Sequence, residues 1–372
     1  MKKHQSKIEK LISELCPNGV EFKMLGELED DNLIKLGRGN VISKTDITNT
    51  PGDYPVYSSS ANDEGEFGRY GKYMFDDERI TWSIDGGGRF FYRQSHKYSV
   101  TNVSGWLKVN DNNVLNLRYL YFVLSNAWLT KVFDYTKKAH PSVIREEYKI
   151  PIPPLAIQEE IVKILNSFTE LEAELEAELE VRKKQYDYYH KELFDLRDDF
   201  ELKTLGDIYE FQYGEGNTIP TSGDKFPVYG SNGIVGSHEK FNSEDAPVIG
   251  HIGAYAGIVN WAQGKHFVTY NGVICKIKPG VNPRFGYHLL ILQDFRSKAN
   301  AGSQPFVSYD MLRKTEVKIP PILIQNKIAD VLDKFDALVN DISVGLPAEL
   351  KARRSQYEYY RNKLLDFKEL EK

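Results

Sequence analysis

Residues 151–196 read PIPPLAIQEEIVKILNSFTELEAELEAELEVRKKQYDYYHKELFDL, and this stretch decides how the chain is organised. Its apolar side chains recur mostly at steps of three and four, which predicts one long helix with an apolar stripe. The stripe comprises Ile157, Ile161, Ile164, Phe168, Leu171, Leu175, Leu179, Tyr186, Tyr189, Leu193 and Leu196. Because such a stripe needs a partner to cover it, we expect a second helix to pack against this one.

The partner is predicted within the same chain, where residues 320–367 repeat the pattern as PPILIQNKIADVLDKFDALVNDISVGLPAELKARRSQYEYYRNKLLDF. The repeated apolar positions are Ile324, Ile328, Val331, Phe335, Leu338, Tyr357, Tyr360, Leu364 and Phe367. The second copy carries an insertion of about one helical turn near Pro347, which we expect to break or kink the helix. The two long helices are therefore predicted to form an antiparallel coiled coil.

The repeat extends beyond the helices. Four further pairs of segments match: EFKMLGEL (21–28) with ELKTLGDI (201–208), YPVYSSS (54–60) with FPVYGSN (226–232), YSVTNVSGWLKV (98–109) with HFVTYNGVICKI (266–277), and YLYFVLSN (119–126) with YHLLILQD (287–294). Duplication on this scale predicts two similar halves. The order is a short N-terminal helix (1–16), a globular region (17–150), a long helix (151–200), a second globular region (201–318) and a second long helix (319–372).

Each globular region is predicted to mix strands and helices, which makes the fold class α+β. Short runs rich in β-branched and aromatic residues at 79–84, 98–109, 246–252 and 266–277 are bounded by Gly, Asn, Asp or Pro, as strands are. The N-terminal helix would occupy the place that the end of the first long helix has before the second globular region. We therefore expect it to pack near the C-terminus, giving a roughly circular chain about a pseudo-two-fold axis.

Composition limits the class of protein. A chain of 372 residues, 41% of them hydrophobic, is long enough for two or three domains, and the net charge of −5 does not by itself indicate nucleic-acid binding. Two distant cysteines argue against a disulfide framework and fit a reducing cytoplasm. No apolar run approaches the roughly 18–20 residues of a membrane span, so we expect a cytoplasmic protein without a membrane partner.

The familiar catalytic motifs are missing from the sequence. It contains no GxxxxGK[ST], no GxGxxG between a strand and a helix, no HExxH and no CxxC. The run Asp85-Gly86-Gly87-Gly88 lacks the Lys and Ser/Thr of a phosphate-binding loop and is predicted to be a turn. The histidines lack metal-ligand spacing. No catalytic residue, metal site or bound cofactor is predicted for this chain.

Basic and aromatic residues interleave at 89–98, and a second basic segment follows at 137–141. Such side chains pair with phosphates or read base edges, and Asn and Gln can read adenine. The DNA-binding candidates are Arg89, Arg93, Lys97, Lys137 and Lys138 in the first half, and Asn232, His238, Lys240, Tyr255 and Gln304 in the second. The alternative for any one of them is an ordinary hydrated strand face.

The paired Pro-Pro…Gln starts and the QYxYY ends of both long helices resemble the specificity subunits of type I restriction-modification systems, over nearly the whole chain. Asn326 departs from the family pattern, which often has an acidic residue there. The resemblance implies that each globular region is a target recognition domain reading half of a bipartite DNA sequence. It also implies that the helices set the spacing and dock two methyltransferase subunits, with restriction and translocase subunits completing the complex.

The resemblance further implies that S-adenosylmethionine, ATP and Mg²⁺ act on the partner subunits while this chain catalyses nothing. Two other interpretations of the residues stay open. One is a coiled-coil scaffold or adaptor without sequence-specific DNA binding. The other is a duplicated enzyme whose polar cleft the sequence does not locate.

Overall fold

The computed structural model describes residues 6–59, 63–134, 136–195, 200–216, 219–220, 223–300, 304–341 and 343–371. Leu196 and the first five residues of the predicted N-terminal segment lie outside these ranges. The chain divides into two compact units: unit 1 comprises residues 1–174 and 351–372, and unit 2 comprises residues 175–350. The boundary at residues 174–175 lies within the long central helix, and the boundary at residues 350–351 lies within the C-terminal helix.

In chain order the helices and strands are α1 (Lys7–Leu15), β1 (Glu21–Met24), α2 (Leu25–Asp30), β2 (Ile34–Arg38), α3 (Lys44–Asn49), β3 (Tyr54–Tyr57), β4 (Glu66–Tyr70), β5 (Arg79–Ser83), β6 (Phe90–Arg93), β7 (Ser99–Val100), β8 (Ser104–Val109), α4 (Leu117–Trp128), α5 (Pro141–Glu147), β9 (Lys149–Ile152), α6 (Leu155–Phe194), β10 (Glu201–Thr204), α7 (Leu205–Ile208), β11 (Tyr209–Tyr213), β12 (Phe226–Gly230), β13 (Gly233–His238), β14 (Ser243–Gly250), β15 (Val259–Val268), β16 (Gly272–Ile277), α8 (Pro283–Leu292), α9 (Phe295–Lys298), α10 (Tyr309–Lys314), β17 (Glu316–Ile319), α11 (Ile322–Asn340) and α12 (Leu346–Leu365).

Unit 1 contains a four-stranded sheet in the order β2-β8-β5-β6, a three-stranded sheet β4-β3-β7 and the pair β1-β9. The four-stranded sheet is antiparallel, and α4 packs on it. Its inward side chains, including Ile80, Trp82 and Leu107, are almost completely buried. The Trp82 indole donates to the carbonyl of Ala139 at 2.7 Å, so the largest core residue also satisfies its polar atom.

Unit 2 repeats this arrangement in one six-stranded sheet of order β11-β16-β14-β15-β12-β13, together with the pair β10-β17. The parallel pairing of β3 with β7 recurs as that of β12 with β15. The single strands predicted at 98–109 and 266–277 are each interrupted, by residues 101–103 and 269–271. Residues 84–88 form the turn between β5 and β6, as the sequence predicted for the glycine run.

The predicted long helices are present. The first is α6, with 40 residues, and the second copy is split into α11, which ends at Asn340, and α12, which begins at Leu346. Pro347 stands in the first turn of α12, where its missing N–H costs no helical hydrogen bond. The prediction of a break near Pro347 is confirmed.

Helix packing in unit 1 joins α6 to the C-terminal part of α12. Ile157, Ile161 and Leu165 are fully buried, whereas Ile164 is partly buried. Phe168 stacks on the half-exposed Tyr360 at 5.5 Å between ring centroids and lies 6.4 Å from Tyr357. Four residues along α6, Glu172 accepts a hydrogen bond from Arg354 at 2.6 Å, so the two helices run antiparallel.

Unit 2 joins the C-terminal part of α6 to α11. Tyr186 is buried in the same cluster as Ile328 and Leu332, and the partly exposed ring of Tyr189 stacks on Phe335 at 5.7 Å. Leu175 is partly buried.

The apolar stripe predicted for α11 needs a correction. Ile324, Val331 and Leu338 are 36–40% exposed, and the buried face instead contains Gln325, Ile328, Ala329, Leu332 and Val339. Relative to the predicted apolar stripe, this buried face is displaced by one residue, because α11 packs on α8 of its own unit. More than a third of each of these three apolar side chains is therefore accessible to solvent.

Helix α1 packs near the C-terminus of the chain, as predicted, within unit 1. Ser6 and Glu9 form a capping box at its start, and Ile8 lies in the core cluster that includes Leu365. Just beyond α1, the backbone of Val20 donates to Lys368 and accepts from Leu370, each at 2.9 Å. Leu15, the last residue of α1, is 48% exposed.

A buried glutamine joins each globular region to its long helix. The Gln158 amide accepts from the backbone N–H of Asn116 at 2.8 Å and donates to the carbonyls of Val114 at 2.9 Å and Pro153 at 2.8 Å. Gln325 accepts from the N–H of Asn282 at 2.8 Å and donates to the Pro320 carbonyl at 2.8 Å. Both glutamines are 0–1% exposed.

These contacts also correct the register of the repeat. Asn116 caps α4 and Asn282 caps α8, so Asn282 corresponds to Asn116 and Tyr287 to Tyr121. The match of YLYFVLSN to YHLLILQD placed Tyr287 opposite Tyr119 instead. Apolar similarity within a helix is tolerant of such slips, whereas a helix cap fixes the position of the first turn.

Replacing either glutamine with leucine should lower the free energy of unfolding by roughly 2–4 kcal/mol, because buried N–H and carbonyl groups lose their partners. We expect a lower melting temperature for Gln158→Leu and Gln325→Leu in thermal unfolding followed by circular dichroism. The exposed Gln356 provides the control, and Gln356→Leu should change the melting temperature little. Equal effects of all three substitutions would contradict a role for the buried amides.

Deleting residues 1–16 should destabilise unit 1, because α1 covers part of its core. A milder test compares two residues of α1. Ile8→Ala should cost about 2 kcal/mol, while Leu15→Ala, at an exposed position, should cost less than about 0.5 kcal/mol. Thermal unfolding measures both, and an unchanged melting temperature after the deletion would refute the packing of α1.

Candidate nucleic-acid interface

Each unit holds an arginine between two aromatic rings. In unit 1 the Arg118 guanidinium lies 4.4 Å from the Tyr92 ring and 5.2 Å from the Tyr121 ring, and its Nε donates to Asn166 at 3.0 Å. Such cation–π contacts hold a guanidinium in place without neutralising its charge. The helix cap at Asn116 and the tie through Gln158 position Arg118 two residues into α4.

The same arrangement recurs in unit 2. Arg284, two residues after the cap Asn282, lies 4.7 Å from the Trp261 ring and 4.6 Å from the Tyr287 ring. Its Nε donates at 2.8 Å to Asp333, which stands eight residues after Gln325, just as Asn166 stands eight residues after Gln158. Arg118 and Arg284 therefore occupy equivalent positions, but Arg118 donates to a neutral amide and Arg284 donates to a carboxylate.

A cavity of about 390 Å³ opens beside Arg118 in unit 1, and we call it the arginine pocket. Its lining residues are Tyr57, Glu64, Tyr92, Arg93, Gln94, His96 and Arg118. His96 Nδ1 lies 2.7 Å from the Gln94 carbonyl, which only accepts, so this nitrogen carries the proton. The other ring nitrogen lies 3.2 Å from the Tyr57 hydroxyl, within hydrogen-bond distance.

The equivalent cavity of unit 2 is larger, about 810 Å³, and contains Tyr229, Trp261, Gln263, Arg284 and Tyr287 at the corresponding places. Four carboxylates also line it: Asp245, Asp333, Asp336 and Asp341. Burial raises the pKa of Asp333, but hydrogen bonds from Arg284 and His288 outweigh this and hold the pKa below its usual value. The unit 2 cavity is thus acidic, whereas the arginine pocket is basic.

Two histidines lie behind the acidic cavity. His288 is fully buried with Nε2 2.7 Å from Asp333, and its ring lies 5.9 Å from that of His190. Burial, together with the neighbouring His288, lowers the pKa of His190 to about 4. His190 is therefore neutral at physiological pH and adds no charge to unit 2.

The structure gives different environments to the five basic candidates of the first half. Arg89 is exposed in the turn before β6, and Lys97 is exposed with its ammonium 4.9 Å from the Tyr73 ring. Lys137 pairs with Glu147, and Lys138 pairs with Asp85 at 2.9 Å. The structure brings none of these four lysines and arginines into the arginine pocket.

Arg93 differs most from the sequence-based expectation of an exposed DNA contact. Its side chain is 3% exposed, lies 3.6 Å over the Tyr57 ring and donates to the Thr81 hydroxyl at 3.1 Å. Arg93 is part of the wall of the arginine pocket, where Tyr57, Thr81 and the Glu64 backbone hold it, and its DNA-binding role stays a prediction. No local sequence pattern indicates this burial, because alternation alone does not show which strand face is covered.

The unit 2 candidates are at the surface. Asn232 is exposed in the turn between β12 and β13, Lys240 is exposed after β13, and the half-buried His238 has its ring 4.9 Å from that of Phe267. Tyr255, 45% exposed, lies in the hairpin between β14 and β15, close to exposed Gln304, since Gly253 donates to the Pro305 carbonyl at 2.9 Å.

Next to that hairpin is an aromatic group that sequence reasoning missed, the tyrosine cluster of Tyr213, His251, Tyr270 and Tyr309. Tyr213 stacks on Tyr309 at 4.0 Å and contacts the His251 ring at 4.5 Å, while Tyr270 is 41% exposed. Burial, followed by the nearby Tyr213, raises the pKa of Tyr309 to about 12, so its hydroxyl remains a donor at neutral pH. The members are scattered along the sequence, and only the sheet topology brings them together.

Two kinds of feature are absent from the described residues. In the parts of the chain that the structure describes, no three His, Cys, Asp or Glu residues are grouped to hold a metal ion. Over those same ranges, no helix is both long and apolar enough to span a membrane.

Comparison with known proteins gives a consistent result. The family model described as the type I restriction modification DNA specificity domain matches twice, at residues 17–181 and 197–352. The EcoR124I/EcoR124II type I restriction enzyme specificity subunit of Escherichia coli is 32% identical over 300 residues, covering 69% of this chain and 72% of that protein.

Solved structures show the same fold. The type I restriction-modification S subunit of M. genitalium superposes with a TM-score of 0.66 at 20% identity, covering 93% of this chain and 96% of that one. A chain from a structural study of complex assembly in the type I R-M system has a TM-score of 0.52 at 13% identity, with 94% and 98% covered. Since the two family matches together span most of the sequence and both duplicated halves, this chain belongs to the type I restriction-modification DNA specificity family.

Proposed function

We propose that this chain is the DNA sequence-recognition subunit of a type I restriction-modification complex. Each globular region is a target recognition domain that reads one half of a bipartite DNA sequence, and the long helices fix the spacing of the halves. The observation that carries the proposal is the double family match, one on each structural repeat. Two linked readers convert two modest half-site affinities into one selective interaction.

In this proposal the chain provides recognition, and partner subunits provide the chemistry. Two methyltransferase subunits bind S-adenosylmethionine, and restriction and translocase subunits use ATP and Mg²⁺. The complex acts in the cytoplasm. A docking surface for a methyltransferase subunit is available on α11, whose exposed apolar side chains are Ile322, Leu323, Ile324, Val331 and Leu338.

For unit 2 we assign the DNA-facing surface to the hairpin that carries Tyr255 and to the adjoining tyrosine cluster. Tyrosine rings and hydroxyls contact sugars and base edges, and Arg313 lies 5.2 Å from the Tyr309 ring, where its charge is available to a phosphate. For unit 1 the corresponding surface includes Arg89 and Lys97, with Lys137 and Lys138 available once they leave their carboxylate partners.

The decisive test is single-molecule methylome sequencing of a host that expresses this chain with its neighbouring methyltransferase subunit. We expect a new methylated motif of two short half-sites separated by an unspecific gap. The same host without this chain is the control and should lack the motif. If the complex forms but no motif appears, the chain is a scaffold or adaptor and the recognition proposal fails.

Substitution of Tyr270 tests the assignment of the unit 2 surface. Tyr270→Ala should weaken binding of a duplex containing the motif about tenfold, because a stacked or hydrogen-bonded ring contributes roughly 1–3 kcal/mol. Fluorescence anisotropy of the chain with its methyltransferase subunits measures the affinity. Tyr270→Phe should retain most of it. The matched control is Tyr359→Ala, 62% exposed in unit 1, and equal losses for Tyr270→Ala and Tyr359→Ala would refute the assignment.

A further inference from the structure

We propose that the arginine pocket of unit 1 is a phosphate-binding site, that its occupant is a DNA backbone phosphate, and that the equivalent cavity of unit 2 does not share this property. The inference rests on the proposed DNA-recognition function and adds an asymmetry to it. Of the two structurally equivalent places, only the one in unit 1 would contact the DNA backbone.

The first support is the set of donors around the pocket. Arg118 makes no ion pair among the residues that the structure describes; its Nε donates to the neutral amide of Asn166 at 3.0 Å, and aromatic rings cover its faces. The terminal amino groups of a guanidinium held in this way remain available to an oxyanion. A planar guanidinium matches the geometry of phosphate oxygens, which it binds through paired hydrogen bonds.

The second support is Arg93, whose charge is fixed in the pocket wall. Its guanidinium is 3% exposed and is held by Tyr57, Thr81 and the Glu64 backbone, so it needs little ordering when a ligand enters. One carboxylate faces it, that of Glu64, at 3.5 Å from Nη1, and this side chain is 83% exposed. Two arginines and one carboxylate, that of Glu64, are therefore among the side chains that line the pocket.

The third support is the comparison of the two repeats. At the place of Asn166 unit 2 has Asp333, which pairs with Arg284 at 2.7 Å, and at the place of Arg93, next to the pocket glutamine in β15, it has Ala262. Asp333 adds a negative charge to the unit 2 cavity, and Ala262 lacks the positive charge of Arg93. Three more carboxylates line the unit 2 cavity. The shared framework with opposite charge indicates that the positive charge in unit 1 is not required for folding.

The volume of the arginine pocket, about 390 Å³, accommodates a phosphate and its adjoining sugar atoms. The Gln94 side chain at its rim is exposed and offers an amide donor. Contacts of this kind set the position of a protein on DNA without reading its sequence. Occupation of the pocket would therefore fix the register of the first recognition domain on its half-site.

The test uses a substitution that copies unit 2 into unit 1. Asn166→Asp gives Arg118 the carboxylate partner that Arg284 already has, so the contact that holds the arginine is retained while its charge is neutralised. Asp333→Asn in unit 2 is the reciprocal control. Each variant is measured in complex with the methyltransferase subunits, by titration of a duplex carrying the recognised motif at several salt concentrations.

For Asn166→Asp we expect the slope of log affinity against log salt to become shallower by about 0.9, the value for one phosphate contact. Affinity at low salt should fall about tenfold, with an unchanged melting temperature. Asp333→Asn should not reduce the slope. An Asn166→Asp complex with the slope and affinity of the wild type would overturn the proposal.

Two further outcomes would also overturn it by naming another occupant. If inorganic phosphate raises the melting temperature of the wild-type chain but not of Asn166→Asp, while the DNA slope is unchanged, the pocket binds free phosphate. If Asn166→Asp fails to assemble with the methyltransferase subunits in size-exclusion chromatography, the pocket binds an acidic partner side chain. A wild-type complex without sequence-selective binding would instead refute the proposed function itself.

Discussion

The hydrogen bonds of one buried amide hold each recognition domain to its long helix. A primary amide accepts from a backbone N–H and can donate two hydrogen bonds to backbone carbonyls, as Gln158 does with Asn116, Val114 and Pro153. Glutamate at this position would lack the donors, and leucine would lack both functions. The paired prolines before each helix have a related role, because the carbonyl of Pro153 or Pro320 accepts from the glutamine. The Pro-Pro…Gln pattern thus encodes a joint between two structural elements.

The rest of each recognition domain depends on this joint. The glutamine binds the N–H of the residue that caps α4 or α8, and the cap fixes the arginine two positions later against the long helix. Because the joint is the same in both repeats, the arginine and its flanking rings arrive at equivalent places. The residues around each arginine can then differ between the two repeats. The difference lies in the charge of the neighbouring cavity, which is basic in unit 1 and acidic in unit 2.

The sequence predicted the duplication, the long helices and the break near Pro347, since apolar spacing and proline act locally. It did not predict that α11 leaves Ile324, Val331 and Leu338 exposed, because periodicity marks apolar positions without showing which face a neighbour covers. Gln325 and Ala329 belong to the buried face, and hydropathy does not identify either of them. The register of α8 against α4 was misplaced for the same reason, and the asparagine caps corrected it.

The candidate interface was predictable to a smaller extent. The sequence shows that a residue is basic but not which residue it will contact in the fold. Lys138 pairs with Asp85, for example, and Arg93 is enclosed by Tyr57 and Thr81. The tyrosine cluster unites residues from four separate segments, so no window of sequence contains it. Only a pattern that is confined to one segment can be recognised before the topology is known.

The environments of the basic residues also determine how each can contribute to DNA binding. Ion pairs at the surface, such as Lys138 with Asp85, are worth at most about 1 kcal/mol, so the lysine exchanges its carboxylate for a phosphate at little cost. Arg93 cannot do so, because moving a desolvated guanidinium away from its buried neighbours would leave their polar groups unpaired. Its charge therefore acts from a fixed position, and a phosphate must come to it. Mobile lysines contribute affinity over many arrangements of the backbone, whereas a fixed arginine contributes only in one. A recognition domain that must place its base-reading side chains in a single register needs the second kind of contact.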